Sequence, residues 1–108
     1  MRETLDAIRA LAERGWIVIS SHGYDELAAD GILATEAIAG LGEAVVVEDY
    51  QDARRGPSVL ALQSDARGSP IHVVWGIPRG AEGPAVLITA YRPDPALWTE
   101  GFMFRRSS

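Results

Sequence analysis

The chain contains no cysteine, which excludes disulfides, thiolate metal sites and cysteine nucleophiles. Lysine and asparagine are also missing, and all 10 basic residues are arginine. No apolar run approaches the ~18 residues needed to span a bilayer, so no membrane role is expected. The opening residues, Met1 to Asp6, alternate charges and lack the apolar core of a signal peptide; the expectation is a cytoplasmic protein. Histidine is scarce, with only His22 and His72. A basic surface is lacking too. The 15 acidic side chains outnumber the basic ones and leave a net charge of −5, which gives no support to a general grip on nucleic acid.

What is present suits one packed domain spanning residues 1–108, since 47% of the chain is hydrophobic. Leu5, Ile8, Leu11 and Ala12 recur at helical spacing, and Gly15 stands where a left-handed cap would end the helix. Trp16-Ile17-Val18-Ile19 suits a short buried strand. Ser20 and Ser21 offer an N-cap for a second helix, His22 to Ala29, with Asp25 and Glu26 in its first turn and Gly31 at its end. A third helix runs from about Ala34 to Leu41 and stops at Gly42.

The period then changes to that of strands, over Ala44 to Val47, Ser58 to Gln63, Ile71 to Trp75 and Ala85 to Tyr91. Polar or Gly/Pro-rich loops separate them, including Gln51 to Pro57 with Arg54 and Arg55. Pro93 and Pro95 break the pattern, and Trp98, Phe102 and Phe104 form a tail expected to dock on the body. Helices followed by hairpin-linked strands make an α+β fold. The N-terminal helices should pack on one face of a four- to five-stranded, mainly antiparallel sheet.

Strict alternation puts Ile71, Val73 and Trp75 on one face with Val86, Ile88 and Ala90. The opposite face then holds His72 and Val74 with Leu87, Thr89 and Tyr91, and Glu48 and Tyr50 could join them. The acidic residues Glu43, Glu48, Asp49 and Asp52 show no metal-ligand spacing and read as a solvated charge group, so no metal and no cofactor is expected.

Four stretches carry a resemblance: Ser20-Ser21-His22-Gly23; Asp30-Gly31-Ile32; Pro70-Ile71-His72-Val73-Val74; and Ile88-Thr89-Ala90-Tyr91-Arg92-Pro93-Asp94-Pro95-Ala96-Leu97-Trp98. Together they resemble the bacterial family of domains of unknown function DUF4258, over about residues 17 to 106. Two positions depart from the family pattern. Glu26 stands where members usually carry Arg, and Leu33 replaces a polar cap before the third helix.

The resemblance implies a RelE-like fold, a toxin-type endoribonuclease and an antitoxin-like protein partner. Metal-independent RNA cleavage needs a base, an acid and a donor for the phosphate. Each proton-transfer role can contribute ~10²–10⁴-fold. His22, at a helix N-terminus that favours its neutral form, suits the base, and His72 the acid. Tyr91 would assist, with Thr89, Arg92 and Ser21 contacting the RNA substrate.

Structural readings compete at each position. His22 can cap or pack, His72 can be a hydrogen-bonded strand residue, and Thr89 and Tyr91 are good strand formers. The alternative function is a non-catalytic interaction domain of the same fold that binds the antitoxin-like partner, and a homodimer is a further open assembly.

Overall fold

A computed structural model describes residues 3–107. The elements are α1 (Glu3–Glu13), β1 (Ile17–Ile19), α2 (Ser21–Ala29), α3 (Ala34–Ala39), β2 (Val45–Tyr50), β3 (Ser58–Ser64), β4 (Pro70–Gly76) and β5 (Ala85–Tyr91). They form an α+β fold around one five-stranded sheet of order β1-β5-β4-β3-β2. β1 runs parallel to β5, and the other neighbours are antiparallel.

Local chemistry explains where the helices begin and end. α1 closes in a Schellman arrangement: Gly15 (φ 73°) donates to Ala12, and Trp16 donates to Leu11. Ser20 caps α2, its hydroxyl accepting from the Gly23 amide at 2.9 Å. Because α2 starts at Ser21, Asp25 and Glu26 lie beyond the first turn, contrary to the sequence expectation. Leu33 gives α3 no side-chain cap, and Glu36 compensates by accepting from the Leu33 amide at 2.9 Å. α3 then tightens into a 3-10 turn, Gly40–Glu43. Arg9 of α1 donates to the Leu41 and Ala44 carbonyls at 2.8 and 2.7 Å, tying that turn to α1.

The main core lies between the helices and one sheet face. Leu5, Ile8, Leu11, Leu27 and Ala37 meet Val59, Ala61, Ile71, Val73 and Trp75 there. The Gln63 amide is buried with them and is bonded through both its oxygen and its nitrogen. Gln63 accepts from the Trp75 indole at 2.9 Å and donates to the Ala37 carbonyl at 2.7 Å. α2 lies against β5 at Gly23, where a β-carbon would fall 2.7 Å from the Leu87 carbonyl oxygen, so only glycine permits this approach.

Two register shifts interrupt the sheet; the one in β5 corrects the alternation expected from sequence, and the one in β2 leaves Glu48 and Tyr50 on the expected face with His72. In β5, Leu87 pairs with Trp75 and Thr89 with Val74, so Ile88 is an extra residue between them. Ala85 and Leu87 therefore join Ala90 in the main core, while Thr89 and Tyr91 keep the expected face with His72. A second shift between Val46 and Glu48 puts Glu48 opposite Leu60 and Tyr50 opposite Ser58. A one-residue bulge reverses face assignment beyond it, which simple alternation cannot register. No helix among the described residues is long and apolar enough to cross a membrane.

Candidate functional site

The face of the sheet turned away from the main core holds the polar residues of interest. His72 in β4 pairs directly with Tyr91 in β5, and with Leu62 in β3 on its other side. Leu60 is 2% exposed on this same face. The C-terminal segment covers His72. Trp98 is 3% exposed and meets the imidazole edge-on, with ring centroids 4.5 Å apart. The Tyr91 ring meets it from another side at 5.3 Å.

His72 is fully buried, and both ring nitrogens are engaged. Nε2 lies 2.9 Å from the Phe102 carbonyl oxygen. A carbonyl can only accept, so Nε2 carries the hydrogen and Nδ1 accepts from the Tyr91 hydroxyl at 3.1 Å. Burial pulls the His72 pKa below its ordinary value; the Phe102 hydrogen bond and the Glu48 charge oppose this less strongly. Burial likewise pushes the Tyr91 phenol up. The pair is held neutral beneath the C-terminal segment.

Arg105 fastens that segment. Its guanidinium sits over the Trp98 ring, 4.8 Å from the centroid, and binds the Glu48 carboxylate through two contacts of 3.0 Å. The Glu48 hydrogen bond raises the Arg105 pKa further. The Tyr50 hydroxyl donates to the same carboxylate. Glu48 is thus one half of an ion pair, and Asp49 accepts from the Thr4 hydroxyl at 2.8 Å, so the solvated acidic group expected from sequence breaks up. Of the expected docking aromatics Trp98 is seated, whereas Phe104 is 72% exposed.

His22 and Ser21 are exposed in the first turn of α2. His22 is not among the groups that contact the His72 ring or its nitrogens. Thr89, two residues before Tyr91 on the same face, is half-buried and pairs with Val74.

Arg92 is consumed internally. Its amide donates to the Asp30 carboxylate at 2.8 Å, Nε donates to the Asp30 carbonyl at 3.0 Å, and a terminal nitrogen reaches Asp65 at 2.9 Å. It ties the end of β5 to the end of α2 and to the β3–β4 turn. The Ser69 amide, joined by Arg92, holds the Asp65 carboxyl below the usual carboxylate range. Among the described residues no three His, Asp or Glu side chains group as a metal site.

Sequence reasoning placed Glu48 beside this face but missed its partner Arg105 and the Phe102 carbonyl. The pairing of Glu48 with Arg105 spans 57 positions, and a main-chain acceptor leaves no mark in the sequence.

Comparison with known proteins adds one finding. Residues 19–92 match the model for the family described as a domain of unknown function, DUF4258. No curated protein and no solved structure matches the chain. The matched span runs from the last residue of β1 through β5 and takes in both histidines, and the chain belongs to the DUF4258 family.

Proposed function

We propose that this chain is a non-catalytic protein-interaction domain, with an antitoxin-like protein as its kind of partner. The observation that carries this reading is the state of His72. A general acid must be protonated near neutral pH and must face the substrate. His72 is instead fully buried, depressed in pKa, and bonded at both nitrogens to Tyr91 and Phe102. Arg92, the expected phosphate clamp, spends its guanidinium on Asp30 and Asp65. The net charge of −5 adds long-range repulsion toward an RNA polyanion.

The test is RNA cleavage in EDTA, with single-stranded and structured substrates. Wild type is compared with a His22→Ala/His72→Gln double variant; Gln keeps a donor for the Phe102 carbonyl. The expected result is the same background for both proteins. Cleavage by wild type that the double variant loses would restore the endoribonuclease reading with its His22–His72 pair.

A further inference from the structure

We infer that the sheet face around His72 is a docking surface for a partner segment carrying an aromatic residue and an arginine. Residues 94–106 of the chain fill that surface intramolecularly, as a strap. This rests on the interaction-domain reading and names the surface and the chemistry it takes.

The surface offers three distinct recognition elements. The imidazole and phenol rings receive the edge of an aromatic side chain, as they receive Trp98. The His72 Nε2–H binds a main-chain carbonyl, which any sequence can supply. The Glu48 carboxylate, steadied by the Tyr50 hydroxyl, binds a guanidinium through both oxygens. A groove of about 710 Å³ continues from this seat along Phe102, Leu62, Pro70 and Val45, with Glu36 and Glu43 on its wall. The Leu33 and Ala66 amides hold the Glu36 carboxyl below the usual range, so it stays charged. Apolar surface bordered by carboxylates complements an aromatic–arginine segment longer than the strap itself.

The strap is built to leave as a unit. Thr99 donates to Phe104, Phe102 to Thr99 and Arg106 to Leu97, all within the segment, and the Arg106 guanidinium donates to the Pro95 carbonyl. Among the described residues its hydrogen bonds to the body are those of Phe102 to His72 and of Arg105 to Glu48. Arg105 is largely exposed, so that latch is easily reached by solvent and competitor. β5 ends at Tyr91, and Pro93 and Pro95 keep the chain from continuing as a strand into the strap.

An attached strap competes at an effective concentration of roughly millimolar. A ligand added from outside therefore binds the intact chain weakly until the strap is loosened. The experiment titrates a synthetic peptide of residues 94–107 into the full ¹⁵N-labelled chain, followed by NMR. Hosts are wild type, Arg105→Ala, which weakens the latch but spares the seat, and Glu48→Gln, which weakens both.

The expected result is peptide-induced shifts at Leu60, His72 and Tyr91, with binding to Arg105→Ala about tenfold tighter than to wild type. Glu48→Gln gains no such affinity, and a peptide with Trp98→Ala binds no host. Equal binding to wild type and Arg105→Ala, or no shifts around His72 in either, overturns the docking surface. RNA cleavage overturns the interaction-domain reading instead, so the two failures are told apart.

Discussion

Replacing Trp98 by alanine tests whether the second face of the sheet is a true layer of the fold. The indole is all but 3% buried, between His72 beneath and Arg105 above. A buried tryptophan hides roughly 150–250 Å², which at ~25 cal/mol per Å² sets an upper limit near 4–6 kcal/mol. The strap lies at the surface and can relax or detach, which removes part of that loss. A destabilisation of about 3 kcal/mol is expected, toward the low end of aromatic-to-alanine changes in cores. For a domain of this size that corresponds to a Tm lower by roughly 12 °C or more.

Phe104→Ala is the control, since that side chain is 72% exposed. It should change stability by less than ~0.5 kcal/mol. Urea unfolding followed by far-ultraviolet circular dichroism gives both values without relying on tryptophan emission. The Trp98 variant should also show a smaller m-value, because its native state buries less surface. Coincident midpoints for Trp98→Ala, Phe104→Ala and wild type would refute the docked strap.

Three further outcomes follow from the same contacts. Burial lowers the His72 pKa in the folded chain, so between that value and the ordinary ~6.5 the unfolded chain binds more protons. The stability contribution is full above about pH 6.5 and fades as pH falls toward the folded value; urea midpoints from pH 8 to 5 should decline, and His72→Gln should remove that part of the slope. Gln63→Leu leaves the Trp75 indole N–H and the Ala37 carbonyl unpaired in the core, and should cost about 2 kcal/mol or more in urea unfolding. Gly23→Ala drives a methyl against the Leu87 carbonyl and should cost about 1–3 kcal/mol, with amide exchange fastest along α2 and the adjoining part of β5.

The fold was legible where short-range rules decide it. Gly15 and Ser20 mark the end of α1 and the start of α2 through hydrogen bonds spanning a few residues. The faces of Ile71, Val73 and Trp75 followed from alternation because β4 has no residue out of step. Alternation failed at Ile88 because bulges answer to the partner strand, not to local composition. At the site, the grouping of His72 with Thr89 and Tyr91 was readable from β4 and β5 alone. Its burial was not, because the Trp98 cover depends on where a proline-broken tail lands. Arg92 looked free for the same reason: its partners Asp30 and Asp65 lie 62 and 27 positions away.

The parallel pairing of β1 with β5 has a consequence for how the chain assembles. Ser20 meets Ile88 across 68 residues, and Ile17 aligns with Ala85 just beside them. The β3–β4–β5 meander closes through short turns and can form early, whereas seating β1 requires the largest loop closure in the sheet. During synthesis β1 emerges first and must wait, its Ile17-Val18-Ile19 edge unpaired, until Tyr91 has cleared the ribosome. The rate-limiting step of folding should therefore be the arrival of the first strand beside the last, and substitutions in β1 should change the folding rate more than equally destabilising ones in the β3–β4 turn.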